Sequence, residues 1–351
     1  MKIFKKILKT LLIAVIVIAV FFAGIIIYAL VSDYRPQEKT TIEVNDATGQ
    51  LSDSITLSLL TWNIGYCGLD NKMDFFYDGG KKVFTPKMQC LKNLSAVMGF
   101  LKGNDSIDIV FLQEVDRKSK RSYDLDEHAT ITGHVKYLSK TFATNYKVFF
   151  VPVPLSSPMG RVYSGITIMS KYIPESSVRY SFPGKYGFPK QLFMLDRCFM
   201  VNRYPLKNGK ELLIINTHNE AFDPGEIRKA QMAYLKDFVV KEYNKGNYII
   251  AGGDWNQCPP DFKPDFSKNK VNTDQMVMPT DFLPADWRWI YDSKTPSNRT
   301  VIAAYDPAVT TTTVIDFFLL SPNVRALSVK CLDLGFANSD HNPVRMKVKL
   351  K

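Results

Sequence analysis

The fold class predicted from the sequence is an α/β or α+β sandwich behind a single N-terminal membrane helix. Three observations predict it. Residues 11–31 form an apolar run without a charged residue. From Ile55 onward, short strand-length apolar runs alternate with longer stretches of helical periodicity. The chain has 351 residues, 46% of them hydrophobic and 23% charged, enough for one large core or two small ones and too apolar for a disordered chain.

In chain order, residues 1–10 form a basic tail with Lys2, Lys5, Lys6 and Lys9. The run 11–31 is long enough to cross the hydrocarbon core of a bilayer, and these lysines put the tail in the cytoplasm and the rest outside. A cleaved signal sequence is the rival reading. Its apolar core is usually shorter and ends in small residues, whereas this run ends Ala29-Leu30-Val31. Residues 32–54 are polar, with Pro36 and Gly49, and read as a tether. The domain then occupies 55–351. The short N-terminus and compact layout suggest a bacterial protein held outside the cytoplasm.

Strands are expected at 55–64, 107–112, 146–151, 165–170, 193–203, 212–216, 248–251, 287–291, 314–320 and 344–350, where β-branched and aromatic residues concentrate. Helices are expected from about 87 to 102, with Thr85 as cap and Pro86 in the first turn, at 127–142, and at 224–243. No repeat or low-complexity tract is evident.

The polar residues that interrupt or end these runs carry the chemistry. Glu114 ends the run Asp108–Gln113, and a carboxylate at a strand mouth needs a partner or a cation. Asp254 and Asn256 follow Gly252-Gly253 and, two apart in extended chain, point the same way. His218 closes the run Leu212–Thr217, and His341 follows Asp340. Near neutral pH a histidine can donate to phosphate or move a proton. Asp316 lies inside the apolar run Val314–Leu320, where a buried acid requires a partner. His128 and His134 read as surface helix residues.

Taken with Thr61-Trp62-Asn63, Gln113-Glu114, Asn216-Thr217-His218, Gly253-Asp254-Trp255-Asn256, Ile315-Asp316-Phe317 and Ser339-Asp340-His341-Asn342, the order of these motifs resembles that of the endonuclease/exonuclease/phosphatase superfamily over residues 55–350. The resemblance implies two packed β-sheets flanked by helices, with the site at one end. It also implies hydrolysis of a phosphate ester by an activated water with Mg²⁺, Mn²⁺ or another divalent cation. By the same resemblance Glu114 is the main metal ligand, aided by Asn63 and Asp340. Asp254 orients or activates the nucleophile, Asn256 steadies it, and Asp316 orients the imidazole of His341. His218 lies in a motif similar to that of secreted deoxyribonucleases. Arg161 and Arg197 are secondary candidates for clamping phosphate. Arg228 and Gln231 read as packing or helix-surface residues.

The net charge is +11, of which the tail lysines supply +4, and the remaining +7 suits an anionic partner, such as nucleic acid, a phospholipid surface or a small phosphate ester. Within the resemblance, the anchor points to a phospholipid substrate in the manner of neutral sphingomyelinases, the domain's charge and the His218 motif to a nucleic acid, and an inositol phosphate or other phosphomonoester comes third. No protein partner is implied. Five cysteines without zinc-type spacing leave at least one thiol unpaired. Substrate choice is assigned to 65–85, 152–161, 182–189 and the long segment 258–284.

Overall fold

The computed structural model describes residues 2–44, 49–223, 225–265 and 277–351. The chain opens with α1 (Lys2–Ser32), followed by β1 (Lys39–Ile42), β2 (Thr56–Asn63), α2 (Lys87–Gly103), β3 (Ile109–Asp116) and α3 (Glu127–His134). The central part contains β4 (Ser139–Val151), β5 (Gly160–Ser170), β6 (Ser176–Ser181), β7 (Cys198–Pro205), β8 (Glu211–His218), α4 (Glu226–Asn244) and β9 (Tyr248–Asp254). It closes with β10 (Arg288–Ile290), β11 (Asn298–Arg299), β12 (Thr312–Thr313), β13 (Asp316–Leu320), β14 (Val324–Cys331) and β15 (Val344–Leu350).

Two mixed sheets stack face to face. One has seven strands in the order β1-β6-β7-β8-β9-β13-β10, the other six in the order β14-β15-β2-β3-β5-β4. Strand parity assigns the side chains. Leu57, Leu59, Ile109 and Phe111 point into the shared core against Met200, Ile214, Ile250 and Phe318. Leu60, Trp62, Val110 and Leu112 point outward and are covered by α2 and α3. Leu213, Ile215, Ile249 and Phe317 point to the opposite outer face, under α4. With both faces of each central strand covered, runs such as Leu212–Ile215 are continuously apolar rather than alternating.

Several boundaries differ from expectation. The expected helix 127–142 stops at His134, because from Ser139 the chain alternates buried and exposed residues in β4. Thr85 does not cap α2; its hydroxyl bonds to the carbonyl of Gly68 instead, and Pro86 takes the cap position. α4 starts at Glu226, and Pro224 lies outside the described residues. The tether reading fails for part of 32–54, since Lys39–Ile42 pairs antiparallel with β6 and Leu51 bridges to Leu206. Two strands with mixed polar patterns, β6 and β14, escape sequence reading: β14 alternates exposed residues over most of its length. α1 is one unbroken helix, exposed along almost its whole length. It could be a transmembrane span or a signal sequence. All five cysteines are buried and unpaired.

His128 is half-buried rather than exposed. Its ring lies 4.9 Å from Phe142 and its Nδ1 3.1 Å from the Thr167 hydroxyl. Burial, aided by Arg117, pushes its pKa down from 6.5 to about 4. The unfolded chain then binds a proton that the folded chain refuses, so stability falls as pH drops through the window from 6.5 to about 4. His128→Gln is expected to flatten that fall. Urea midpoints at pH 7 and pH 5 that differ as much in the variant as in the parent would refute this.

Candidate active site

The site forms where the ends of the two sheets meet. Asp254 ends β9, and its neighbours in register are His218 on β8 and Asp316 on β13. One sheet edge therefore presents three functional groups side by side. Close approach of β8 and β9 depends on glycine: a Cβ on Gly253 would lie 2.0 Å from the Thr217 carbonyl oxygen. The other sheet supplies Asn63 from the end of β2 and Glu114 from β3, while Asp340 and His341 lie just before β15.

Glu114 takes an uncommon left-handed backbone (φ 53°), where the register of β3 against β5 shifts between Leu112 and Val115. Such a bulge re-aims a side chain, here toward the cavity. Asn63 bridges the two sheets: its Nδ2 donates to Glu114 Oε1 at 3.1 Å and to Asp254 Oδ2 at 3.0 Å. Its Oδ1 accepts from the Gly65 amide. The amide nitrogen of Asn63, not its oxygen, thus faces the carboxylates. Asn256 differs as well. It is not in extended chain but left-handed (φ 49°), its N–H donating to Asp254 Oδ1 and its Nδ2 to the Asn219 carbonyl. It holds Asp254 through a turn rather than by strand parity.

His341 and Asp316 form the expected pair, Nδ1 to Oδ2 at 2.8 Å. Trp62 Nε1 donates to the His341 carbonyl and Asn298 Nδ2 lies 3.0 Å from His341 Nε2. His341 is buried, yet Asp316, Asp340 and Asp254 around it raise its pKa well above 6.5. In that cationic state Asn298 must turn its amide oxygen toward Nε2; with the ring neutral, the amide nitrogen donates. His218 behaves oppositely. Burial, with Arg197, His341 and Arg121 nearby, pushes it well below 6.5. It stays neutral, with Nε2 3.5 Å from Asp254 Oδ2. Burial lifts Asp316 to about 6 and Asp340 to about 7, Glu114 adding to the latter.

Glu114, His218, Asp254, Asp340 and His341 line a cavity of about 420 Å³, a size that fits a small ligand or one end of a larger one. Its mouth carries Tyr77 and Phe222, ring centroids 5.8 Å apart. Arg197 lines the cavity, buried beside Glu220 at 3.6 Å, with Nη1 lacking a hydrogen-bond partner among the described residues. Arg161 does not reach the site; it pairs with Asp124 at 2.6 Å on the surface. The sequence reading missed Arg121, which is buried, pairs with Asp116 at 3.0 Å, lies 3.8 Å above the Tyr66 ring and reaches the same cavity. It also missed Asn298; neither residue sits in a motif with a sequence signal. Arg228 donates to the carbonyls of Asn256 and Ala221, and Gln231 accepts from the Glu220 amide, in keeping with a packing role.

Two groups of side chains could hold a cation. Asp254, Asp316 and His341 bring ligand atoms within 4.8 Å of one another, but His341 already occupies Asp316 Oδ2. Glu114 and Asp340 reinforce each other's negative field, and neither has an ion-pair partner among the described residues. Carboxylate oxygens of this kind suit a hard divalent cation.

The sequence matches the endonuclease/exonuclease/phosphatase family over residues 60–341. The chain belongs to that family and is a phosphoric ester hydrolase. Solved structures share the fold at low identity. A family member from Beutenbergia cavernae superposes with a TM-score of 0.57 at 15% identity, covering 84% of this chain and 72% of that one. ANGEL2, a 2′,3′-cyclic phosphatase in complex with adenosine-2′,3′-vanadate, gives 0.54 at 15% identity, covering 89% and 99%. The human Nocturnin catalytic domain with bound sulfate gives 0.51 at 14%, covering 90% and 99%. No curated protein sequence matches the chain.

Proposed function

We propose that this chain is a membrane-anchored, extracytoplasmic, Mg²⁺-dependent phosphoesterase, with a phospholipid phosphodiester of the sphingomyelin type as its first candidate substrate. The observation that carries the reading is one cavity that joins Asp254, His218 and His341 to Glu114, Asp340 and the underused donors of Arg197. Glu114 and Asp340 would hold the Mg²⁺ or Mn²⁺, and the bound cation supplies charge neutralisation at the phosphoryl group. Asn63 fixes the distance between that side of the cavity and Asp254.

In the proposed reaction a water oxygen bonds to phosphorus as the bond from phosphorus to the ester oxygen breaks in line. Asp254 takes the water's proton, and the departing oxygen leaves with the bonding electrons and takes a proton from solvent water. Neutral His218 offers an N–H group to a phosphoryl oxygen, and His341, cationic and oriented by Asp316, offers its Nε2–H there once substrate displaces the Asn298 amide 3.0 Å away. Arg197 adds a fixed positive charge in a site where few waters compete with it. A cationic His341 is poorly suited to accept a proton, which assigns that task to Asp254.

The apolar and aromatic wall of Leu69, Phe75, Tyr77, Phe222 and Ile302 favours an ester with an apolar or bulky portion. A surface nuclease is the second reading, favoured by the +7 charge that residues 11–351 carry and by the motif around His218. The test is turnover by the full chain of sphingomyelin vesicles, duplex DNA and an inositol polyphosphate at equal phosphate, with Mg²⁺ or EDTA. EDTA-sensitive turnover of the vesicles supports the proposal. Turnover of DNA alone selects the nuclease, and turnover unaffected by EDTA rejects the cation.

A further inference from the structure

The anchor and the catalytic cavity are close neighbours. α1 ends at Ser32 and β1 starts at Lys39, so only residues 33–38 separate helix from sheet. Fully extended they would span about 20 Å, and they are tied down along the way. Ser181 donates its hydroxyl to the Gln37 carbonyl and its amide to the Glu38 carbonyl, and Lys147 Nζ lies 5.6 Å from the Tyr34 ring centroid. The end of α1 also packs on the domain. Tyr28 meets Phe149 at the end of β4 with ring centroids 4.1 Å apart. Ile25 and Ala29 share a cleft with Phe149, Phe150 and Leu192.

Tyr28 lies three residues before the end of the apolar run, so at 1.5 Å per residue it sits roughly 5 Å inside the hydrocarbon boundary. Whatever touches Tyr28 lies at the membrane interface. Phe149 touches it, and Leu192, beside Ile25 and Ala29, sets the 190–193 turn against the same helix end; the loops that run from these two points carry exposed apolar side chains. Phe149 is 53% exposed, Leu155 in the hairpin between β4 and β5 is 74% exposed, and Phe188 just before the 190–193 turn is 61% exposed. Lys147, Lys185 and Lys190 are exposed among them. Asp33 and Asp196 are the acids nearby: Asp33 pairs with Arg35, and Asp196 faces Lys185 and Arg179.

We infer that this face, made by the hairpin 149–160 and the segment 185–193, docks on the extracytoplasmic surface of the bilayer that α1 spans. Apolar side chains reach past the headgroups, and lysines meet anionic lipid. The inference rests on the proposed anchor. It also suggests a source for the substrate. Leu195 and Arg197 line both the catalytic cavity and a second cavity of about 190 Å³ walled by Leu30, Asp33 and Arg35 at the end of α1. One layer of side chains thus separates the catalytic cavity from the point where the chain leaves the membrane, and phosphate esters of lipids in that leaflet are within short reach.

The test uses the full chain in vesicles of phosphatidylcholine and phosphatidylglycerol in equal parts. The native cysteines are buried, so Leu155→Cys, Phe188→Cys and, as control, Leu327→Cys on β14 can each carry an environment-sensitive fluorophore. Quenching by doxyl-labelled lipid and a blue shift at 155 and 188, with neither at 327, are expected. Equal, weak quenching at all three positions overturns the docking face. The readout needs no turnover, so an enzyme that inserts but fails every substrate assay would defeat the proposed function and leave the docking face standing.

Discussion

Asp254→Asn is expected to lower kcat by about 10²–10⁴-fold, the usual worth of a positioned general base, with little change in KM. The substitution is nearly isosteric. It keeps the shape and one oxygen, enough for either the Asn63 amide or the Asn256 N–H, and removes the other acceptor together with the charge and the proton-accepting capacity. The fold should therefore survive, and the thermal midpoint is the control. The expected signature is a loss in kcat with unchanged substrate saturation, measured on whichever ester the wild type turns over. A variant that keeps most of its activity would move the base to His341. That alternative predicts that Asp316→Asn, which strips His341 of the carboxylate 2.8 Å from its Nδ1, is the more damaging of the two changes.

Glu114→Gln is expected to weaken divalent-cation binding by more than the roughly 10–100-fold that loss of an outer hydrogen-bond partner costs. Activity at saturating substrate should then rise with Mg²⁺ over a concentration range shifted upward by the same factor. The reason is electrostatic. Glu114 and Asp340 line the same cavity without an ion-pair partner within 4 Å among the described residues, and burial, with the Glu114 carboxylate nearby, lifts Asp340 to about 7 despite His341 and Arg299. A cation is what such a pair lacks. Neutralising one member removes half of the attraction, while the glutamine still offers an oxygen to Asn63. Calorimetric titration with Mg²⁺ and Mn²⁺ checks this directly. An unchanged affinity would shift the cation to Asp254, Asp316 and His341, whose ligand atoms also lie within 4.8 Å of one another.

Much of the site was legible because its residues break otherwise apolar runs. His218, Asp254 and Asp316 each stand at the end or start of a buried strand, where a polar group has no packing reason to be. Arg197 was legible only as a candidate, and Arg161 read equally well yet lies on the surface beside Asp124. Sequence alone could not separate them, because an arginine near a strand end gives no sign of which face it takes. Arg121 and Asn298 gave no signal at all. Arg121 lies in an irregular turn after β3, and Asn298 in a two-residue strand, so neither belongs to a periodic pattern.

Local chemistry written in the sequence was enough to determine the apolar helix at the N-terminus, the alternation of buried strands and helices, and the set of polar groups that end those strands. These depend on side-chain type and spacing over a few residues, which burial and backbone geometry translate directly into structure. Tertiary structure alone decided which groups meet. Register brings His218 and Asp316 to either side of Asp254, a bulge turns Glu114 toward the cavity, and Asn63 spans two sheets to bind both carboxylates. It also drew Lys39–Ile42 out of a supposed tether and into a sheet, holding the catalytic cavity next to α1. Such outcomes depend on contacts between residues tens to hundreds of positions apart, whose energies are settled only when the sheets pack.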